Sequence, residues 1–340
     1  MPNTFEELSQ GYPERGSGSA AATKVAQAIV GQTSVMNLEA VTDKIKVFNL
    51  QTSLLVFGLG SLAAIIIGLY LPQLGLALQV VFWLLLLGEI RWPNLAKVKS
   101  GEAENIVLTI PAKSKETQKV VLTAAYDTSA FIPAPLGLKP QLYWLLTICI
   151  GLALPVLQLL AMVLKLHWLT LWSFLPLLVL LGLFILPKQA SGHPSGLNGC
   201  KALLETASIL LRFRPSITTV IIYFTGAQSL NSGVQKLPAI FKNENPTYGL
   251  NLVEQNRQQI GIISQEGFLP QPGSPLLKEI LTEVAQTKSI PVEIIATPEI
   301  TPAYPLLGKK MNAISLTVPA KDTDENLREL LVGFIRKIEH

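Results

Sequence analysis

Two long apolar stretches constrain the fold of this chain more than any other feature of its sequence. Residues 47–88 pass without a charged side chain, and a Pro-Gln-Leu-Gly turn at 72–75 interrupts them. Because a membrane-crossing helix needs about 20 apolar residues, this stretch predicts two helices, at 52–71 and 74–88. The second stretch predicts two more, at 141–163 and 167–186. We therefore expect two helical hairpins that cross a membrane four times.

The rest of the sequence is polar enough to form a water-soluble domain. The chain is 49% apolar and only 15% charged, and its charged residues are concentrated outside the two apolar stretches. The sequence therefore predicts one soluble domain interrupted by two hairpins. The predicted parts are an N-terminal piece of the soluble domain at 1–46, the first hairpin at 47–90, strands of the soluble domain at 91–140, the second hairpin at 141–187, and an α/β remainder at 188–340.

Basic residues mark one side of the predicted hairpins. The turns on the opposite side contain only Lys165 and His167 as basic groups. Loops on the cytoplasmic side of membrane proteins are enriched in Lys and Arg, so we expect both termini and the soluble domain in the cytoplasm. The basic residues that flank the hairpins are Lys44, Lys46, Arg91, Lys97, Lys99, Lys139 and Lys188.

Alternating helix and strand patterns after residue 188 predict an α/β layered domain. The predicted helices are 197–211, 230–241, 274–287 and 323–338. The predicted strands are 218–224, 248–253, 259–264, 291–296 and 313–318. Before the second hairpin, a helix is expected at 19–30 and strands at 105–110 and 120–124. The last helix carries acidic residues early and basic residues late, as the helix dipole favours.

The apolar strand at 120–124 ends on an acidic loop. Its β-branched and aliphatic residues are typical of a central strand buried on both faces, and Asp127 falls where this strand gives way to a loop. Enzymes with α/β sheets bind their ligands at this end of the strands. The sequence therefore places a candidate site around Asp127.

Several classes of protein are excluded by composition. The net charge is only +4 and no basic run is long enough to follow a phosphate backbone, so no nucleic-acid partner is expected. The two cysteines, Cys149 and Cys200, lack metal-ligand or paired spacing and are typical of free thiols in a reducing compartment. The first fifty residues contain no basic start followed by an apolar core, so a cleavable secretory signal is not expected.

Four segments together resemble the co-catalytic di-zinc aminopeptidases, peptidase family M twenty-eight. Residues 120–129, Val-Val-Leu-Thr-Ala-Ala-Tyr-Asp-Thr-Ser, are similar to a family strand ending in His-x-Asp-Ser. The segment 192–207 resembles Gly-Ala-Asn-Asp-Asn-x-Ser-Gly and its helix. Phe-Thr-Gly-Ala-Gln-Ser at 224–229 resembles Phe-x-Gly-Ala-Glu-Glu, and Thr-Pro-Ala-Tyr-Pro-Leu at 301–306 resembles Thr-Asp-His-x-Pro-Phe. The resemblance implies a mixed-sheet di-zinc aminopeptidase-like domain, interrupted here by the hairpins.

The resemblance also implies that the zinc ligands are missing. Zinc is held by imidazole, thiolate or carboxylate groups, and the positions that match the family's ligands and general base carry other side chains. Of the family's site residues only Asp127 is retained, which in the family orients a histidine ligand. We therefore expect no metal and no cofactor. The vacated positions are Ala125, Ser195, Gln228, Ser229, Val253 and Ala303.

Two interpretations of the remaining polar residues stay open. His193 with Asp127 could hold a single ion, or His193 could be a solvated loop residue and Asp127 a loop cap. A nucleophilic serine at 129, 195 or 229 would need a base, and His193 is the one candidate. Tyr126 and Tyr304 flank vacated positions, where they could stack on a ligand or simply pack in a pocket.

The sequence leaves three hypotheses for function. The first is a membrane-anchored, catalytically inactive peptidase-like protein that acts as a binding, scaffold or assembly subunit, with membrane lipid and another membrane protein or complex as partners. The resemblance supports it, because the family includes ligand-stripped members that serve as receptors or subunits. The second is a membrane-bound zinc aminopeptidase with a displaced metal site built from His193, Asp127 and Glu254. The third is a transporter subunit, although charged residues are absent between the ends of the predicted spans.

Overall fold

The structure is a computed structural model that describes most of the chain in two compact units. The sheet unit comprises Met1–Val47, Gly101–Ala130 and Gly192–His340, and the helical unit comprises Phe48–Ser100 and Phe131–Ser191. The described residues are 5–12, 15, 19–48, 50–91, 99–127, 140–166, 168–185, 197–226, 234, 237–241, 245–255, 257–267, 270–297, 301, 303–307, 311–319 and 324–339.

Helices and strands alternate along most of the described chain. The helices are α1 (Phe5–Gly11), α2 (Ala20–Val35), α3 (Leu50–Tyr70), α4 (Pro72–Arg91), α5 (Pro140–Val163), α6 (Trp168–Trp172), α7 (Phe174–Ile185), α8 (Asn198–Arg212), α9 (Leu237–Ile240), α10 (Pro275–Thr287), α11 (Tyr304–Leu307) and α12 (Asp324–Ile338). The strands are β1 (Ala40–Phe48), β2 (Lys99–Ile110), β3 (Gln118–Ala125), β4 (Thr218–Thr225), β5 (Thr247–Glu254), β6 (Ile260–Glu266), β7 (Gln271–Pro272), β8 (Val292–Thr297) and β9 (Ala313–Val318).

The nine described strands form one mixed sheet. Its order is β1-β2-β4-β3-β5-β9-β6-β7, and β8 pairs with β6. The four central strands β4, β3, β5 and β9 are mutually parallel, whereas β2 and β6 flank them in antiparallel orientation. Parallel strands all end on the same side, so the residues that follow these four strands share one edge of the sheet. The mixed α/β fold predicted from the sequence is confirmed.

The two faces of the sheet are covered by different elements. One face carries Val120, Leu122 and Ala124 of β3, and it packs against buried residues of α2, α8, α10 and α12. The other face carries Val121, which packs with a smaller apolar group from α9, α11 and β9. Strand β3 is therefore buried on both sides, as its continuous apolar run predicted, and each large apolar side chain buried there contributes roughly 1.5–3 kcal/mol.

Helix ends in the sheet unit follow local capping chemistry. Ser19 caps α2 by accepting a hydrogen bond from Ala22 N at 3.1 Å. Ser274 caps α10, where Pro275 occupies the first turn and Leu277 N donates to the serine hydroxyl. Such caps satisfy backbone N–H groups that the helix leaves without partners.

The sequence patterns missed several elements of the sheet unit. Strand β1 was not predicted, because its alternating charged and apolar residues lie on an edge strand that is largely exposed on one side. Strand β2 begins six residues earlier than the predicted segment 105–110. Of the predicted helix at 230–241, the structure describes helical turns only at Leu237–Ile240 as α9, and most of the remainder lies outside the described residues.

The helical unit contains the apolar helices α3 to α7. Gly75 of α4 lies against α3 so closely that an added Cβ atom would be 2.3 Å from Gly68 Cα and 2.8 Å from Ala64 O. Two glutamines bond to backbone carbonyls of α3: Gln79 Nε2 donates to Ser61 O at 2.8 Å, and Gln158 Nε2 of α5 donates to Ala64 O at 3.4 Å. Small residues and side-chain amides therefore hold these helices together.

One described helix is long and apolar enough to cross a membrane. It is Leu145–Val163, with a mean hydropathy of 2.3 and a third of its residues buried within the protein. Shorter apolar helices occupy Leu55–Tyr70, Pro72–Gly88 and Trp168–Val179. A single such helix is weak evidence for a membrane span, since core helices of soluble proteins share its composition.

The predicted helix at 167–186 is wrong as a single element. The chain forms α6 and α7 instead, and Ser173 separates them. Pro176 accounts for the break, because a proline ring clashes with the carbonyl four residues earlier and is accommodated most easily in the first turn of a helix, where Pro176 lies in α7. Pro155, by contrast, lies inside α5 without ending it.

Candidate functional site

The candidate site lies where the four parallel strands end, an edge that we call the carboxyl edge. Strands β3, β4, β5 and β9 end there at Ala125, Thr225, Glu254 and Val318. Helix α8 begins at the same edge, since Asn198 Nδ2 donates to Pro319 O and Gly199 N donates to Glu254 Oε1. The side chains that the sequence singled out at 125–127 and 253–254 are therefore brought to one edge.

Tyr126 is packed into the protein. Its side chain is buried, its hydroxyl donates to Glu104 O, and its backbone N–H donates to Thr225 O at 3.1 Å. Burial raises the pKa of this phenol above its ordinary value. The ring also forms one wall of a cavity of about 120 Å³ bounded by Ala22, Lys44 and Glu102, among others. Of the two interpretations of this tyrosine, packing is the one that its contacts favour.

Arg15 brings a buried positive charge to the carboxyl edge. It is only 1% exposed, although it lies in the short connection between α1 and α2. Its Nε donates to Tyr126 O at 3.0 Å, and its Nη1 donates to Tyr12 O. Burial lowers the pKa of the guanidinium, while the nearby acidic groups of Glu254, Cys200 and Asp127 oppose that effect, in that order of strength.

Glu254 meets the first turn of α8. Its Oε1 accepts the N–H of Gly199 at 3.2 Å, the position where a helix dipole favours negative charge. Loss of solvent around the carboxyl nevertheless raises its pKa to about 8, against the opposing effects of the Gly199 and Asn198 N–H groups and of Arg15. The group therefore holds a proton at neutral pH more often than an exposed glutamate does.

Asp127 and Cys200 complete the group that we call the Arg15 cluster: Arg15, Asp127, Cys200 and Glu254. Asp127 is 2% exposed, in the loop directly after β3. The thiol of Cys200 is fully buried and lies 3.5 Å from Ala125 O. Burial raises its pKa well above the ordinary value, so it is a protonated thiol rather than a nucleophilic thiolate.

Two vacated positions lie in apolar or neutral surroundings. Val253 of β5 and Ala303 before α11 are both buried. The N–H of Ala303 donates to Thr301 Oγ1 at 3.1 Å, which fixes the loop before α11. A methyl group at 303 and an isopropyl group at 253 offer no donor to a metal ion.

A second set of polar groups crosses the sheet close to Ala303. We call it the polar row: Thr123, Asn251, Ser315, Thr301 and Glu266. Thr123 Oγ1 donates to Asn251 Oδ1 at 2.7 Å, Asn251 Nδ2 donates to Ser315 Oγ at 3.3 Å, and Ser315 Oγ lies 3.2 Å from Glu266 Oε2. The sheet register sets this arrangement, since Thr123 is paired with Asn251 and Asn251 with Ser315.

The polar row ends on the carboxyl group of Glu266. Thr301 donates to its Oε2 at 2.6 Å, and among the described residues its Oε1 has no hydrogen-bond partner. The side chain is 1% exposed. Burial raises the pKa of Glu266 to about 7, although the hydroxyls of Thr301 and Ser315 favour the ionised form.

Five of the predicted site residues lie outside the described residues: Ser129, His193, Ser195, Gln228 and Ser229. The backbone of Tyr304 begins α11, but its side chain also lies outside the described part of the chain. Of the predicted site, the structure brings together Ala125, Tyr126 and Asp127 at the end of β3, with Val253 and Glu254 at the end of β5.

The sequence analysis missed two of the site's buried charged residues. Arg15 gave no signal, because the groups around it other than Tyr12 O lie more than a hundred residues away along the chain. Glu266 gave only a weak signal, because Ser264 and Gln265 separate it from the apolar run 260–263. It is the last residue of β6, which runs antiparallel to β9.

The side chains described here do not fit a zinc site. Among the described residues no group of three or more His, Cys, Asp or Glu side chains is arranged to hold a metal ion. Asp127 and Glu254 share their surroundings with the Arg15 guanidinium, whose positive charge opposes a metal cation. Cys200 is protonated and bonded toward Ala125 O rather than available as a thiolate.

Solved structures with similar folds include glutaminyl cyclases and aminopeptidases. The glutaminyl cyclase of Fimbriiglobus ruber has a TM-score of 0.52 and 12% identity, covering 99% of this chain and 96% of its own. A leucine aminopeptidase precursor from Bacteroides thetaiotaomicron has a TM-score of 0.52 and 11% identity, covering 98% and 93%. A glutaminyl cyclase from the same organism, bound to N-acetylhistamine, has a TM-score of 0.52 and 10% identity, covering 98% and 94%.

At these identities the likeness concerns the fold alone. No protein-family model and no curated protein sequence matches the chain. The chain has a mixed α/β fold like that of glutaminyl cyclases and of zinc aminopeptidase-like proteins.

Proposed function

We propose that this chain is a membrane-anchored, catalytically inactive peptidase-like protein that serves as a binding or assembly subunit of a membrane complex. One observation carries the proposal. At the edge where a fold of this kind offers its ligand site, the chain has placed a buried arginine beside Asp127 and Glu254, while Ala125, Val253 and Ala303 supply no metal donor.

A peptide hydrolase needs a group that activates water. A metal ion can do so, as can a base with a pKa near the working pH. Glu254 has a suitable pKa, about 8, but its carboxyl already accepts the N–H of Gly199 in the first turn of α8. The vacated position 228, in the resemblance, carries a neutral amide that cannot take a proton from water at pH 7.

The apolar helices supply the anchor in this proposal. Helix α3 with α4, and α5 with the pair α6 and α7, would cross the bilayer as two hairpins, with the basic flanks and the sheet unit in the cytoplasm. Large apolar side chains cover the outside of these helices, among them Leu59, Tyr70, Trp168 and Leu178, each more than half exposed. Lipid, or helices of a partner membrane protein, would cover such surfaces.

Purification in mild detergent tests the proposal. We expect the tagged chain to co-purify with one membrane protein at constant stoichiometry, measured by quantitative mass spectrometry. We expect no aminopeptidase or glutaminyl cyclase turnover with or without added zinc. Extraction at alkaline pH should leave the chain in the membrane pellet. Release of the chain from the membrane at alkaline pH would contradict the proposal. Purification without a partner protein, together with aminopeptidase or glutaminyl cyclase turnover, would also contradict it.

The second candidate is a zinc aminopeptidase with a displaced site that uses His193, Asp127 and Glu254. The observation in its favour is that Asp127 and Glu254 do lie at the same edge of the sheet. Metal content separates the two candidates: stoichiometric zinc together with aminopeptidase turnover that a chelator abolishes would establish the enzyme.

A further inference from the structure

Arg15 is buried more completely than an arginine usually is. Arginine side chains are almost never fully buried unless their charge is compensated, because an isolated charge in the interior loses its solvation. At 1% exposure, the Arg15 guanidinium must therefore be held by groups of opposite sign or by strong hydrogen-bond acceptors.

Two backbone carbonyls fix the position of this guanidinium. Nε donates to Tyr126 O at 3.0 Å, which ties it to the residue between β3 and Asp127. Nη1 donates to Tyr12 O, which ties it to the end of its own segment. A planar guanidinium held at two of its five N–H groups has a fixed orientation. The two carbonyls therefore orient the Arg15 side chain.

The charges around it come from two different strands. Ala124 of β3 is paired with Leu252 of β5, so Glu254 at the end of β5 lies beside Tyr126, whose carbonyl holds Arg15, and Asp127 is the next residue along the chain. In its ionised form Glu254 stabilises the guanidinium most, and Asp127 also stabilises it. The pKa of the Cys200 thiol in α8 is also affected by Glu254, Arg15 and Asp127. The carboxyl groups of Asp127 and Glu254 therefore share one cation, which the chain itself supplies from residue 15.

We propose that Arg15 is the built-in cation of the carboxyl edge, which compensates Asp127 and Glu254 and closes this site to divalent metal ions. This inference rests on the proposed function, for which it names the group that Asp127 and Glu254 meet in place of a metal ion. Arg15 then acts as an internal ligand at the carboxyl edge.

Removing the guanidinium should uncover a site for a hard divalent ion. In Arg15→Met, the carbonyl of Tyr126 loses its hydrogen-bond donor, and the carboxyl groups of Asp127 and Glu254 lose the positive charge near them. Oxygen ligands suit Mn²⁺, whereas thiols select softer ions, so Mn²⁺ avoids the exposed Cys149. Because carboxyl ligands bind metal in the deprotonated form, the measurement belongs at pH 8.

The experiment titrates tag-free, detergent-solubilised full-length protein with MnCl₂ and follows the free ion by electron paramagnetic resonance. We expect Arg15→Met to bind one Mn²⁺ with a dissociation constant on the order of 10⁻⁴ M, as weak oxygen sites do. Wild type and the charge-conserving Arg15→Lys should bind at least about ten-fold more weakly. The matched control is Arg212→Met, at an exposed arginine at the end of α8, which should behave as wild type.

A second variant decides the outcome if Arg15→Met does not fold. Arg15→Met with Glu254→Gln removes the cation together with the carboxyl group that stabilises it most in the ionised form, so the double variant should recover a cooperative thermal transition. In a folded Arg15→Met background, the added Glu254→Gln should abolish Mn²⁺ binding. A double variant that also fails to fold overturns the inference, as does equal Mn²⁺ binding by wild type and Arg15→Met.

The result is separable from that of the proposed function. Mn²⁺ binding that appears only in Arg15→Met supports the built-in cation even if wild type purifies without a partner, in which case the assembly role alone fails. Conversely, a stable partner complex together with a wild type that binds Mn²⁺ as tightly as Arg15→Met sustains the assembly role and overturns the inference about Arg15.

Discussion

The hydroxyl of Thr301 donates a hydrogen bond of 2.6 Å to the Oε2 atom of Glu266, 35 residues earlier in the chain. Thr301 also accepts the N–H of Ala303 and lies 2.9 Å from the hydroxyl of Ser315. This single hydroxyl therefore connects β6, β9 and the loop that carries the vacated position 303. Through Thr301, the buried carboxyl group of Glu266 helps to hold the loop that carries position 303.

The ionisation of Glu266 should make stability depend on pH. An unfolded glutamate titrates near pH 4.3, whereas burial raises the pKa of Glu266 in the folded protein to about 7. The folded state therefore holds the proton more tightly, so the stabilisation is complete below about pH 4 and is lost as pH rises through about 7. The loss is at most about 4 kcal/mol.

Replacing Glu266 by Gln should flatten this dependence. The thermal midpoint of Glu266→Gln, measured in detergent between pH 5 and 8, should fall less with rising pH than that of wild type. Some slope should remain, because burial also raises the pKa of Glu254. Glu279→Gln, at an exposed position on α10, is the control. A Glu266→Gln profile parallel to wild type would refute the assignment.

Thr301→Val should destabilise the protein. The substitution keeps the side-chain shape but leaves the buried Ala303 N–H and Glu266 without the hydroxyl that each contacts. Leaving a buried polar group unsatisfied costs about 1–3 kcal/mol, measurable by chemical denaturation of the detergent-solubilised protein. Thr287→Val is the matched control, because the Thr287 hydroxyl is exposed and bonds only within its own helix. Equal stability of both variants would contradict this role.

Gly226→Ala should disturb the end of β4. A Cβ atom at this position would lie 2.0 Å from the hydroxyl oxygen of Tyr126 and 2.3 Å from Glu104 O. Since one of these atoms belongs to the backbone, the strand must shift, at a cost of about 1–3 kcal/mol. We expect a lower unfolding midpoint, which Tyr126→Phe restores only in part.

Gly31→Ala should change the stability in the opposite direction to Gly226→Ala. Nothing lies within 4 Å of a Cβ atom at Gly31, and the residue is exposed within α2. Alanine in a helix is favoured over glycine by about 1 kcal/mol, so this variant should be at least as stable as wild type. A Gly226→Ala variant that matches Gly31→Ala would show that the close approach is not a constraint.

The sequence predicted what depends on local pattern. The apolar runs of β3 and β4 and the amphipathic helices α8, α10 and α12 were placed to within one or two residues, because burial of a whole strand or one helix face is written into consecutive residues. Strand β1 was not predicted, since alternating charged and apolar residues on an edge strand resemble a solvated loop.

The site depended on contacts that no local pattern contains. The burial of Arg15 is fixed by Tyr126 O, 111 residues away. The pKa of Glu254 depends on a helix that begins 56 residues before it. Asp127 was found because its signal, an acid after an apolar strand, is local. Arg15 was not found, because its contact with Tyr126 O joins two segments that come together only when the sheet has formed.

Gly75→Ala should loosen the first hairpin of the helical unit. An added methyl group would lie 2.3 Å from Gly68 Cα and 2.8 Å from Ala64 O, both backbone atoms, so α3 and α4 must move apart. Helices in lipid associate through such small residues, and the overpacking should cost about 1–3 kcal/mol. Gly182→Ala in α7, where nothing lies within 4 Å, is the matched control. The measurement is the thermal midpoint in detergent together with protease resistance of the hairpin. We expect both to fall for Gly75→Ala and neither for Gly182→Ala, and unchanged values for both variants would mean that the two helices do not pack at these glycines.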